Sequence, residues 1–302
     1  MAVGGSERQC ATDCISYCRI RARARARRQW QLKAAAVSVL AVTREDLQVF
    51  HEYGESWYLS FKELESRFLP REPLARQPQV TAEGRCKLVG WLIPLNNYFR
   101  LSFESLCQAV NILDRFLVST PVATDCFQLL GLTAVLIASK QVEIEPPMME
   151  ELLAHCRGAF SRQQLCNLEC IVLSRLNFDL AAPTISFFLE YFHLIRLESS
   201  CTDCQEAADA RSLAVGIAKL SLADYFFINY APSLLAAGSL GLADRLLHHR
   251  KPANLEVSGY PEEILEDCIA QLQILVALNE CSLSTLLPSE VARKCPWNED
   301  SR

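Results

Sequence analysis

The chain has 302 residues, half of them apolar, with 11 glycines and 13 prolines, a length that favours two domains and a sizeable core. Thirty basic residues against thirty-five acidic ones leave a net charge of −5, so the molecule as a whole has no electrostatic purchase on nucleic acid. Many of its 14 cysteines, Cys86, Cys107, Cys126, Cys166 and Cys170 among them, fall inside helical patterns where thiols pack as small apolar groups, which argues for a reduced intracellular protein over a disulfide framework.

Residues 1–43 stand apart, with six arginines between Arg19 and Arg28 alternating with alanine and an apolar patch at 34–42. A basic nuclear-targeting or acidic-partner patch, an Arg-rich transit peptide and a flexible tail all fit that composition, and the flexible tail is preferred. Cys10, Cys14 and Cys18 recur every four residues, but no histidine lies near to complete a metal site. From 44 to 68, Leu47, Phe50, Tyr53 or Gly54, Trp57, Phe61, Leu64 and Phe68 recur at helical spacing until Pro70 and Pro73. An amphipathic helix therefore precedes the main domain and can lie across its surface.

Thr81 caps a helix through Trp91, in which Pro94 predicts a kink or an early stop. Ser102 opens the next, to about residue 118; its polar stripe of Glu104, Gln108, Asn111 and Arg115 is expected to face solvent, opposite Leu106, Val110, Leu113 and Leu117. Residues 125–141, DCFQLLGLTAVLIASKQ, are apolar on almost every side and too short to span a bilayer. They read as a rod buried among other helices. Pro146 and Pro147 precede a short helix at 148–156, and Ser161 with Gln164 forms a capping box for a helix at 162–176. Pro183 divides the chain. Helices at 184–194, 208–228, 233–247, 261–280 and 283–287 follow, and LLAAGSLGLADRLL at 234–247 echoes the rod. Two consecutive five-helix bundles with an N-terminal flanking helix account for this order, an all-α fold. Its parts are a basic tail at 1–43, helix and linker at 44–75, bundles at 76–182 and 183–290, and a tail at 291–302.

Charges in apolar surroundings mark the candidate site. Arg85 opens the first helix of the bundle and Asp114 lies about 80° off the polar stripe of the second, so an internal ion pair is the economical reading. Lys140 ends the rod, and Glu169 interrupts the apolar face of Leu165, Leu168, Val172 and Leu176. Either those two satisfy each other, or they form a charged pair in a hydrophobic rim suited to a partner helix. An enzyme is disfavoured: His51, His155, His193, His248 and His249 are scattered, and no phosphate loop, HExxH or GxSxG occurs. Cys201 and Cys204 form a lone CxxC with no second pair, so neither a metal nor a cofactor is expected.

The runs RCKLVGWL, AVNILDRFL, QLLGLTAVLIASK and LNFDLAAPT resemble the cyclin box, over about residues 47–287. The resemblance implies a non-catalytic regulatory subunit that binds a cyclin-dependent Ser/Thr kinase and turns its mobile helix so that the ATP-site lysine and glutamate meet. It makes Lys140 and Glu169 the kinase-contacting pair, with Gln141, Leu173 and Phe178 beside them, and Arg85 and Asp114 the internal pair. The family's substrate-docking patch falls on Gly84, Lys87, Leu88, Trp91 and Gln128. That patch is degenerate, because Gly84 and Lys87 stand where methionine and isoleucine are usual; Gln141 likewise replaces an aromatic residue. SFESLCQAVNILDRFL and AFSRQQLCNLECIVL resemble a branch of the family tied to centriole amplification in multiciliated cells. The implied partners are a cyclin-dependent kinase and its substrates, without nucleic acid or membrane, in cytoplasm, nucleus or both. The alternative is a kinase-independent scaffold or transcription-factor-like adaptor.

Overall fold

A computed structural model of the protein describes residues 44–198 and 203–301. The arginine-rich tail with Cys10, Cys14 and Cys18, and Cys201 of the CxxC, lie outside the described residues. Twelve α-helices and no strand occur among the described residues: α1 (Arg44–Phe68), α2 (Ala82–Tyr98), α3 (Phe103–Ser119), α4 (Thr124–Val142), α5 (Met149–Ala154), α6 (Arg162–Arg175), α7 (Ile185–Glu198), α8 (Cys204–Ala223), α9 (Pro232–Leu246), α10 (Glu262–Leu278), α11 (Glu280–Leu286) and α12 (Ser289–Ala292). No single helix is long and apolar enough to cross a membrane.

Helix starts follow the side chains that satisfy their first N–H groups. Thr81 Oγ1 accepts from the Gly84 N–H at 3.1 Å and Ser102 Oγ from that of Ser105 at 3.2 Å. Ser161 and Gln164 cap each other reciprocally, and each such cap stabilises by about 1 kcal/mol. The rod α4 packs against α2, α3, α5 and α6 and is buried continuously from Leu129 to Ser139. Its hydroxyls spend themselves on their own helix: Thr133 donates to the Leu129 carbonyl at 2.7 Å and Ser139 to that of Leu136 at 3.0 Å, so burial leaves neither unsatisfied. Gly131 lets α2 approach, since a Cβ there would lie 2.9 Å from Leu88 Cδ1. The second rod, α9, sits likewise among α7, α8 and α10, and a Cβ on Gly238 would lie 2.9 Å from Cys268 Sγ.

Helix α1 docks mainly on the second bundle, along α7 and α9. Tyr58 stacks on Tyr191 at 4.5 Å and Phe61 on Phe187 at 4.3 Å between ring centroids. The Tyr58 hydroxyl donates to the Ser258 carbonyl at 2.7 Å, and buried Glu65 accepts from the Ser233 N–H at 3.0 Å and its hydroxyl at 2.8 Å. The flanking helix thus straps the two halves together.

Four expectations are corrected. Of the two outcomes allowed for Pro94, the early stop does not occur, since α2 runs on to Tyr98; Pro94 and Gly90 are both exposed, so the carbonyl that loses its donor can be hydrated. The polar stripe of α3 does not face water. Glu104 and Gln108 are buried, and Gln108 donates to Glu104 and to the Ala182 carbonyl, both at 2.9 Å. Asn111 donates to the Phe68 carbonyl at 2.9 Å and Arg115 to that of Asp179 at 2.7 Å. The stripe is polar because it holds the backbone of the inter-bundle linker and the end of α1. The helix expected at 208–228 ends at Ala223, where Asp224 caps a 3₁₀ turn, Tyr225–Asn229. Of the five cysteines read as packed within helices, Cys86, Cys126 and Cys170 are exposed and only Cys107 is buried; they lie on outward faces that periodicity in a small residue does not reveal.

Candidate functional site

Lys140, in the last turn of α4, and Glu169, mid-way along α6, meet at 2.6 Å. The lysine side chain is 41% exposed and the carboxylate 14%, so the pair sits at the surface with its negative partner tucked into the rim. Leu173 lies one helical turn beyond Glu169 and is half-buried. Its carbonyl accepts from the Phe178 N–H at 2.9 Å. Phe178 itself is 44% exposed and, with Asn177, takes a left-handed backbone (φ 55° and 51°) that turns the chain out of α6. Strain of about 1–3 kcal/mol per such residue is held in place by surrounding contacts.

Gln141 and Phe178 line one groove of about 1340 Å³, which runs between α1, the end of α6 and the linker, with Trp57, Phe61 and Leu180 contributing apolar wall. The side-chain carbonyl of Gln141 is buried and accepts no hydrogen bond. The structure thus brings Lys140 to Glu169, Phe178 to Leu173 and Gln141 to Phe178.

Arg85 and Asp114 pair in the interior. The guanidinium donates from Nε and Nη2 to the two carboxylate oxygens, each at 2.7 Å, with side-chain exposures of only 2% and 3%. Burial pulls the Arg85 pKa down, the Asp114 charge opposes this, and the net result stands above the ordinary value. Arg85 Nη1 also reaches the Ala223 carbonyl at the end of α8, at 3.2 Å, which joins the pair to the second bundle.

The expected docking patch follows one face of α2 (Gly84, Lys87, Leu88 and Trp91 at helical spacing) with Gln128 on α4. Leu88 is buried over Gly131, Trp91 and Gln128 are half-buried, and exposed Lys87 turns back to Glu83 at 2.6 Å. The face carries an outward ion pair where a recruiting patch needs apolar anchors.

Two family models cover most of the chain: the cyclin N-terminal domain over residues 56–181 and the cyclin C-terminal domain over 183–292. The chain belongs to the cyclin family. It is 59% identical to human Cyclin-O over 86% of its own length and 75% of that protein's. Cyclin-O protein B of Xenopus laevis is 54% identical over 82% of the chain and 69% of its own length, and bovine Cyclin-A2 34% identical over 73% and 51%. Among solved structures, a viral cyclin from herpesvirus saimiri superposes with a TM-score of 0.64 at 21% identity, covering 72% of this chain and 96% of that one, a likeness of fold. Cyclins are regulatory proteins and not catalysts.

In this cyclin the second repeat has a buried ion pair that sequence reasoning missed. Arg196 donates to Asp244 at 2.6 Å, and Asp244 also meets His249 Nδ1 and the Ala253 N–H, each at 2.8 Å. The signal was present, Arg196 and Asp244 each standing near the end of a largely apolar helix, but the aromatic density around Arg196 obscured it. His193, one turn before Arg196, is buried, and desolvation, with Arg211 and Arg196 nearby, lowers its pKa to about 3.

Proposed function

We propose that this cyclin is a regulatory subunit that binds and activates a cyclin-dependent Ser/Thr kinase through the rim of Lys140, Glu169, Gln141, Leu173 and Phe178. The observation that carries the reading is a surface ion pair whose carboxylate is only 14% exposed and whose lysine is followed in the chain by Gln141, a residue of the groove wall. A charge held in such a surround contributes more to a docked partner than a solvated one. Activation then follows from differential binding: the cyclin selects the active arrangement of the kinase helix. The similarity to Cyclin-O extends the proposal to centriole amplification in multiciliated cells, acting in cytoplasm, nucleus or both. Lys140→Ala and Glu169→Ala should each weaken kinase capture by about 2–5 kcal/mol while circular dichroism and melting stay those of the parent. Undiminished capture by both variants would remove the basis for the reading.

The altered docking face favours a second reading, a kinase-independent adaptor. With Lys87 turned to Glu83, substrate recruitment through that face is expected to be weak. Phosphotransfer to a histone substrate by captured kinase, with and without the cyclin, separates the two: the activator raises it and the adaptor does not.

A further inference from the structure

Beyond their ends the two rods lead into loops of opposite charge. Counted from the close-approach glycines Gly131 and Gly238, Leu247 stands in the second rod where Lys140 stands in the first. The chain leaves the first rod through Glu143 and Glu145 and the second through His248, His249, Arg250 and Lys251, a basic run on a chain whose net charge is −5. That run is held in place from inside. Asp244, its side chain 2% exposed, accepts from Arg196 Nη1 at 2.6 Å and from His249 Nδ1 and the Ala253 N–H at 2.8 Å each. Arg196 Nη2 donates in turn to the Lys251 carbonyl at 3.0 Å. The loop is thus tied at His249, Lys251 and Ala253, and His248, before the first tie, takes a left-handed backbone (φ 50°), a conformation that persists only where its surroundings impose it. With His249 turned inward, His248, Arg250 and Lys251 are exposed. Arg250 meets no carboxylate among the described residues, whereas Arg245, at the end of the rod, is engaged by Glu266.

We propose that this loop docks an acidic segment of a partner protein, with aspartate or glutamate side chains set against Arg250 and Lys251. The site belongs to the second bundle and does not depend on the kinase-binding reading. Charge complementarity selects an anionic occupant, and the extent of the positive surface selects a short peptide. Exposed Glu256, Glu262 and Glu263 follow closely in the chain and would repel a nucleic-acid backbone, whose charge repeats along its whole length. Phosphate recognition draws on clustered arginines, and Arg250 is the one arginine here without a carboxylate partner among the described residues; carboxylates spread along a segment match the cations better. The chain's own N-terminal tail, with six arginines between Arg19 and Arg28, would be repelled.

The test is carbodiimide coupling on the full chain, which joins a peptide carboxylate to a lysine amine as an amide while the carbodiimide takes up the water. The probe is a short biotin-tagged peptide rich in glutamate and aspartate, and mass spectrometry locates the adducts. Lys251 should be coupled well above Lys87, which is also exposed. Arg250→Glu, at an exposed position, should cut the Lys251 adduct by about tenfold at low salt with the melting curve unchanged, Arg250→Lys should keep it, and the preference should fade as salt rises. Coupling at Lys251 no greater than at Lys87, or undiminished by Arg250→Glu, overturns the inference. Stronger suppression of that coupling by a duplex oligonucleotide or a phosphoserine peptide than by an untagged copy of the probe overturns the carboxylate segment as occupant.

Discussion

Replacing Asp114 by alanine tests the interior of the first repeat most directly. The substitution removes both oxygens that hold Arg85 at 2.7 Å and strands a guanidinium that is 2% exposed. Among the described residues it keeps one hydrogen bond, to the Ala223 carbonyl at 3.2 Å, and the Tyr225 ring 5.9 Å away. A uniform medium of effective dielectric 20 gives roughly 4 kcal/mol for such a pair at 4 Å, and breaking a buried pair by removing one partner costs about 3–5 kcal/mol. The melting temperature should therefore fall by about 6 °C or more, at roughly 2 °C per kcal/mol for a protein of this size. Because Arg85 also fastens the end of α8, amide exchange around Ala223 should quicken together with that of α2 and α3. The companion variant, Arg85→Met with Asp114→Leu, removes both charges and keeps the volume, and it should cost far less than the single change. Urea titration followed by circular dichroism measures both. A single-variant cost under about 1 kcal/mol, or a double variant worse than the single, would refute the argument that a stranded charge is what destabilises.

Two glycines in the same bundle should respond oppositely to alanine. Gly90, exposed inside α2 with open space around its Cβ position, should gain roughly 0.5–1 kcal/mol from helix propensity, whereas Gly131→Ala pushes into Leu88 and should lose about 1–3 kcal/mol by overpacking; thermal melts of the two variants decide. The second repeat should carry an acid-sensitive element at His193. Its folded pKa of about 3 lies below the ordinary 6.5, so protonation favours the unfolded chain: the contribution is complete above pH 6.5 and is lost as pH falls toward 3, at about 1.4 kcal/mol per pH unit. His193→Phe should flatten the stability profile between pH 6 and 4 by about that slope, and an unchanged slope would refute the assignment.

Helix existence was legible because caps and periodicity are local. Thr81, Ser102 and Ser161 announce their helices, and the run from Leu129 to Ser139 admits only burial. What periodicity cannot say is what lies opposite a face. Glu104, Gln108, Asn111 and Arg115 form a regular polar stripe on α3, and a helical wheel treats water and backbone carbonyls alike as polar surroundings. The carbonyls of Ala182, Phe68 and Asp179 that the stripe engages come from segments distant in the chain. The docking of α1 on the second bundle was hidden for the same reason, since Tyr58 and Glu65 look like ordinary members of an amphipathic helix until Ser258 and Ser233 are brought beside them.

The candidate site shows the same limit in sharper form. Sequence alone left Lys140 and Glu169 divided between mutual satisfaction and partner docking, and the structure makes those descriptions compatible: the two groups do pair, at the surface. Pairing by itself marks nothing, because the end of the second rod carries a comparable bridge, Arg245 to Glu266, with side chains 51% and 48% exposed. Bridges that open to water contribute about 0–1 kcal/mol and are screened by salt. The Lys140 bridge differs in that its carboxylate is 14% exposed and the lysine's neighbour Gln141 opens on the groove with Phe178. A partner that closes over it would exclude the remaining water and strengthen the charges it meets, whereas the same partner over Arg245 and Glu266 would first have to desolvate both. The two repeats share a scaffold with a charged bridge at the end of each rod, and the apolar surround is what turns one of those bridges into a candidate docking point.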